Sequence, residues 1–195
     1  MKSNQPLKFT IHLSMFLRSF LVQALWNYRS MQSLGICFML LPLRVKLDKS
    51  SEIFREFIAE NIKFVNSHPY FAGYLVGMLS KLYLQEGDAV IQKAEKLKNL
   101  LVSPLGSIGD KLFWENIKPS MMLLAVPGAI FQLQGYPGWI LMALAFAGYN
   151  LPHLIIRWIG IKQGYTLGYQ IYNKLNFESF EKMYKLYLNI LQSRN

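Results

Sequence analysis

Apolar residues Phe9, Leu13, Phe16, Leu17, Phe20, Leu21, Ala24 and Tyr28 recur at helical spacing, with Thr10, Ser14, Arg18 and Gln23 on other faces. This pattern predicts an amphipathic helix over residues 9–28. A short apolar run follows at 34–43, closed by Pro42 and then by the charged stretch 44–60. It is too short to cross a bilayer, because a helical span needs about twenty residues.

The next helix is expected to start near Ser50 or Ser51, either of which can cap free amides, with Glu52 at the positive end of the helix dipole. Phe54, Phe57, Ile58, Asn61 and Val65 then share a face, and His68-Pro69 should end the helix, since proline pushes its predecessor out of the α region. An apolar segment at 70–84 carries Gly73 and Gly77 four residues apart, a spacing that lets another helix backbone come close. Residues 85–99 are charged and helix-favouring. Ser103, Pro104, Gly106, Ser107, Gly109 and Asp110 then crowd into a stretch predicted to be irregular.

Two apolar segments come next. One, at 121–131, is interrupted by Pro127-Gly128; the other, at 136–161, holds Pro152, His153 and Arg157 and is the one long enough for a conventional span. A second amphipathic helix is predicted at 180–191. Short or broken apolar helices with one full crossing suit a transporter, where helices that break at membrane depth line a polar cavity or are covered by other protein.

Composition narrows the picture. The chain has 195 residues, with no repeat and no linker, and is expected to form one domain over 1–195. Hydrophobic residues are 52% and charged residues 16%, which points to lipid or a large partner interface. A net charge of +10 alone fits nucleic acid, an anionic membrane or an acidic protein. Lys93, Lys96 and Lys98 lack interleaved aromatics and are read as a solvated helix face, so nucleic acid is not the expected partner. Cys37 is the one cysteine, which leaves neither a disulfide framework nor a thiolate set for zinc, and no metal or cofactor is expected. Arg18 and Gln23 break the N-terminal apolar stretch, a poor match to a cleavable signal, so the mature chain is expected to keep it.

Four elements, in order, carry a resemblance. They are Phe16-Leu17-Arg18-Ser19-Phe20 with Gln23, Trp26-Asn27-Tyr28, Met31-Gln32 and Leu34-Gly35; Asn66-Ser67-His68-Pro69-Tyr70 followed by Gly87-Asp88; Pro104-Leu105-Gly106-Ser107-Ile108-Gly109-Asp110-Lys111-Leu112-Phe113-Trp114 running to Lys118-Pro119; and Arg157-Trp158-Ile159-Gly160 leading to Gly164-Tyr165. Together they resemble the enzyme IID component of the mannose/fructose/sorbose-type phosphotransferase system. The resemblance implies an all-α, polytopic membrane protein of the bacterial inner membrane. It would join a IIC membrane subunit to form the translocation pathway for a hexose-type sugar, in a higher oligomer of IIC–IID pairs. Cytoplasmic IIA and IIB proteins would carry the phosphate on their histidines, and this chain would be neither phosphocarrier nor enzyme. Arg29 stands where the family usually has an acidic residue, and family members usually continue well past the Gly-Tyr segment. An alternative expectation is therefore a degenerate IID-like interaction or regulatory protein without transport. A membrane-interface enzyme is disfavoured, because no nucleophile, metal set or carboxylate pair is visible.

Candidate substrate-binding residues are Asp110, which can accept hydrogen bonds from sugar hydroxyls, and Phe113 and Trp114, whose faces can stack on a sugar's C–H surface. Trp26, Asn27 and Lys118 join them. Gly106 and Gly109 allow close backbone geometry, and Asn66, His68 and Pro69 form a structural motif. The competing readings are that Asp110 caps a helix, that the aromatics and Trp26 are packing, and that His68 merely ends a helix. Arg157 and Lys162 are read as anchors reaching for the cytoplasmic surface.

Overall fold

A computed structural model describes residues 6–45, 52–85, 90–168 and 170. The first helix, α1 (Phe9–Ser19), is shorter than its periodicity predicts. Its amphipathic pattern continues past Ser19, but residues 20–25 run on as turns, and the Ser19 hydroxyl bonds back to the Phe16 carbonyl at 2.6 Å. The chain turns here so that Val22 can pack under Gly35, where an added Cβ would sit 2.4 Å from the Val22 carbonyl oxygen.

Next come α2 (Ser33–Leu40), a 3₁₀ turn (Leu41–Val45) and α3 (Glu52–Asn61). The expected stop at His68-Pro69 is corrected to Asn61. Beyond it the backbone is claimed by a neighbour rather than by its own helix: Gln32 N–H donates to the Val65 carbonyl (2.9 Å), Val65 N–H to the Ser30 carbonyl (3.3 Å), and Ser67 N–H to Gln32 Oε1 (3.4 Å). Asn61 itself donates to the Phe57 carbonyl and to Tyr83 Oη, both at 2.8 Å, and holds the helix end in the core.

The central element is α4 (Ala72–Gln85), in which Leu75, Val76, Met78 and Leu79 are fully buried. Around it Met15, Ile36, Met39, Leu40, Phe57, Phe71, Leu101 and Phe113 complete the core.

The stretch expected to be irregular is helical. α5 (Val90–Gly109) passes through Pro104, a π segment (Asp110–Ile117) follows with Lys118 N–H reaching the Phe113 carbonyl five residues back, and α6 (Lys118–Leu133) continues without a break. Local breakers lose here because Gly106 and Gly109 are spent on packing, as described below, and the π segment takes up the change of register. α6 also runs straight through Pro127-Gly128. Gly128 serves contact with the next helix, since a Cβ on Gly138 would lie 1.9 Å from the Gly128 carbonyl oxygen.

After a turn at Gly135, whose φ of +84° suits glycine, α7 (Trp139–Leu167) runs for 29 residues and is long and apolar enough to cross a membrane. Its second half lies on α4, glycine against glycine. Added Cβ atoms would meet the Arg157 carbonyl at 2.8 Å from Gly73, the Ile161 carbonyl at 2.2 Å from Gly77, and the Tyr74 carbonyl at 2.3 Å from Gly164. The Gly73/Gly77 spacing thus finds a partner in Gly160/Gly164. Its first half pairs with α6, and the two project an apolar surface: Leu123, Leu133 and Phe146 are 76%, 89% and 71% exposed.

At the other end, charge is concentrated. Lys98 is buried against Glu60 (2.5 Å), and Lys63 bridges Glu60 (2.7 Å) and Glu95 (3.2 Å). Burial pushes the Lys98 ammonium down in pKa while Glu60 pulls it back up. Lys93 and Lys96 are exposed, so the solvated face expected for all three lysines holds for two. The helix expected at 180–191, Gly87-Asp88 and the caps at Ser50 and Ser51 lie outside the described residues.

Candidate functional site

Residues 66–68 lie along the small-residue face of α5. A Cβ on Gly109 would fall 2.2 Å from the His68 side chain, and one on Gly106 would touch Ser67 Cα at 3.7 Å. The glycines therefore exist for close approach, and they bring together two sequence motifs some forty residues apart in the chain. Pro69 and Tyr70 then turn the backbone, with Phe71 N–H donating to the His68 carbonyl (3.0 Å) and Tyr70 N–H to His68 Nδ1 (3.3 Å).

His68 is wholly enclosed. Its ring stacks on Phe113 (5.3 Å, 16°), meets Tyr70 edge-on (4.9 Å) and lies 5.5 Å from Trp114. Burial, and then the nearby Arg157 cation, lower its pKa, so the ring stays neutral and Nδ1 stays free to accept. Its Nε2 is buried without a partner, as is Ser67 Oγ.

Tyr70 carries the cluster into α7. Its hydroxyl is 2.7 Å from that of Tyr149, its ring stacks on His153 (4.7 Å), and the Arg157 guanidinium lies over it at 4.8 Å. Arg157 is 6% exposed, donates to the Ser19 carbonyl at the end of α1, and has Nε unpaired. The expectation that it reaches for the membrane surface is thus corrected: its length carries it inward across aromatic faces to the helix-end carbonyl of Ser19, which also accepts from Val22 N–H at 3.4 Å. Lys162, one turn further, is exposed.

The π segment presents two faces. Phe113 is fully buried against His68, while Asp110, Trp114 and Lys118, each four residues on from the last, form an outward stripe. Lys118 Nζ sits 4.8 Å over the Trp114 ring, and Trp114 is 39% exposed. Burial, followed by Glu115, raises the Asp110 pKa, and a hydrogen bond from Trp114 works against both. No side-chain cap bond forms at this junction. A carboxylate, an indole face and an ammonium on one accessible strip are groups that hydrogen-bond and stack on a polyhydroxylated ring.

Trp26 and Asn27 stand elsewhere, in the turn after α1. Trp26 meets Tyr28 edge-on (4.7 Å), and Asn27 is engaged locally: Nδ2 donates to Ser30 Oγ (2.9 Å) and Oδ1 accepts from Ser30 N–H (2.9 Å). That turn supports Gln32, and through it the 65–67 segment that carries His68. Asn66 is exposed and Pro69 buried. The sequence reading passes over Tyr149 and notes His153 without giving it a role, although His153 and Arg157 stand four apart inside an apolar span, where ionisable groups are costly and mark function.

A family model described as the PTS system mannose/fructose/sorbose family IID component matches residues 8–191. The mannose-specific EIID component of Escherichia coli K12 is 28% identical over 172 residues, covering 86% of this chain and 59% of that protein. The fructose permease IID component of Bacillus subtilis is 27% identical, covering 87% of this chain and 61% of that one. Among solved structures, a chain of the mannose transporter ManYZ in complex with microcin E492 superposes with a TM-score of 0.72 at 28% identity, over 94% of this chain and 66% of that chain. The chain spans about three-fifths of the length of the curated relatives it matches.

Proposed function

Because this chain belongs to the mannose/fructose/sorbose family of phosphotransferase-system IID components, we propose that it is the membrane subunit of a phosphoenolpyruvate-dependent sugar phosphotransferase system. It forms the sugar translocation pathway together with a IIC subunit in the bacterial inner membrane, coupled to cytoplasmic IIA and IIB phosphocarriers and built into a higher oligomer of IIC–IID pairs. The observation that carries this reading is the accessible Asp110–Trp114–Lys118 strip backed by the enclosed His68 cluster, beside a helical hairpin whose apolar side chains no other described part of the chain covers. An uncovered hairpin of this kind suits lipid and a companion subunit.

The chain positions sugar and does not carry phosphate. His68, the histidine nearest the strip, accepts from Tyr70 N–H at Nδ1 and keeps Nε2 inside the protein, out of reach of a phosphoryl donor. Phosphate label retained on His68 after incubation with phosphorylated IIB would overturn this point.

Co-expression with candidate IIC subunits, followed by co-purification and sugar uptake, tests the proposal. The parent chain should assemble and support uptake, and Asp110→Ala should abolish uptake while assembly persists. Normal uptake by Asp110→Ala would defeat the assignment of Asp110. Assembly of the parent chain without any uptake would instead establish the interaction or regulatory role.

A further inference from the structure

Arg18 and Arg44 face a cleft that the transport reading leaves unused. It lies between α1 and the end of α2 with its 3₁₀ turn, has a volume of about 470 Å³, and has Ile11, Phe38 and Leu41 among its walls and Ser14 on its rim. No carboxylate lines it among the described residues. Two guanidinium groups lining one concavity with no carboxylate among its described lining residues make it a place where an anion is favoured.

Arg18 is held ready for one. Its Nε donates to Ser14 Oγ (3.3 Å) and its Nη1 to the Phe38 carbonyl (3.1 Å), while the guanidinium lies 4.3 Å over the Phe38 ring. These bonds fix the plane of the fork and leave Nη2 for a ligand. A planar, permanently charged fork with spare donors is suited to the oxygens of a phosphoryl group.

The same helix shows where such a group comes from. Phe9, Leu13 and Leu17 make an exposed apolar stripe along α1. Thr10, Ser14 and Arg18 each follow a stripe residue by one position, roughly 100° around the helix, so the cleft opens alongside the stripe. A helix with an apolar outer face and a basic flank lies in the membrane interface, at the depth of lipid phosphates. We propose that this cleft binds the phosphodiester of an anionic phospholipid, with Arg18 and Arg44 on the phosphate and the acyl chains along Phe9, Leu13 and Leu17.

The test uses the full chain in neutral-detergent micelles, titrated at low salt with short-chain phosphatidylglycerol, short-chain phosphatidylcholine or inorganic phosphate, and read by native mass spectrometry and calorimetry. One phosphatidylglycerol per chain should bind in preference to phosphatidylcholine. Arg44→Gln should weaken it about tenfold, and adding Arg18→Gln should weaken it further, as expected for loss of charge-assisted hydrogen bonds. Lys111→Gln, which removes the same charge elsewhere, should bind like the parent. Arg44 is exposed, so Arg44→Gln alone decides the matter if the double variant fails to fold. Equal binding of the two lipids, unchanged binding by Arg44→Gln, or an equal loss in Lys111→Gln would overturn the site. Inorganic phosphate binding as tightly as phosphatidylglycerol would overturn the lipid as its source.

Discussion

Phe113 and Trp114 are neighbours in sequence with opposite fates, and substitutions should separate them. Phe113 is a fully buried ring against His68, so Phe113→Ala should cost about 3–5 kcal/mol of stability. Trp114→Ala should leave the melting temperature in detergent within a few degrees of the parent and lower sugar uptake. The reverse pattern would remove Trp114 from the strip. His68 supplies a pH test. Its folded pKa is depressed, so the native state resists a proton that the unfolded chain takes up below about 6.5, and stability should fall as pH drops from 7 toward 5. His12, likewise lowered by burial, contributes in the same direction. His68→Asn should flatten part of that decline in thermal melts; an unchanged slope would show that His68 is not the group responsible. Asp110, Trp114 and Lys118 stand out in the sequence by their chemistry and their motif, whereas their common face comes from a helix where the sequence suggests a loop. The burial of Phe113 was not, because it depends on a loop forty residues away.

At the scale of elements, the glycine seam between α4 and α7 is a contact sensitive to a single methyl group. Gly77→Ala would place a Cβ 2.2 Å from a backbone carbonyl, and Gly164→Ala one 2.3 Å from another. Each should destabilise by about 1–3 kcal/mol, seen as an earlier thermal transition in detergent. Gly135→Ala meets no neighbour, and its cost comes from its positive φ alone. The seam was half visible in the sequence, since Gly73 and Gly77 announced a close approach but not the helix that makes it. The Ser-Pro-Gly-rich stretch before Asp110 misled for the opposite reason. Its composition favours a loop locally, yet its glycines sit where residues 66–68 need room, and tertiary packing keeps it helical. Likewise α1 and α3 end early because Gly35 and Gln32 offer partners that no local periodicity reveals.

The described residues divide into a packed body around α4 and an apolar hairpin of α6 and the first half of α7. Placing a charge on the hairpin's outer surface should act on membrane insertion rather than on the body. Phe146→Lys should cost about 2.5–3.5 kcal/mol if that position lies at mid-bilayer, and should shift protein out of the carbonate-resistant membrane fraction. The full span was legible in the sequence by length and hydropathy, as was the helical class; the shape of the body was not, because hydrogen bonds between distant segments, such as Gln32 to Val65, have no sequence signature. One further property follows from the unbroken helix that runs from residue 90 to residue 133. At about 1.5 Å per residue it is about 65 Å long, roughly twice the thickness of the hydrocarbon layer. One end of it exposes Leu123 and Leu133 and the other pairs Lys98 with Glu60, so a single continuous helix ties the surface suited to lipid to the charged end of the body.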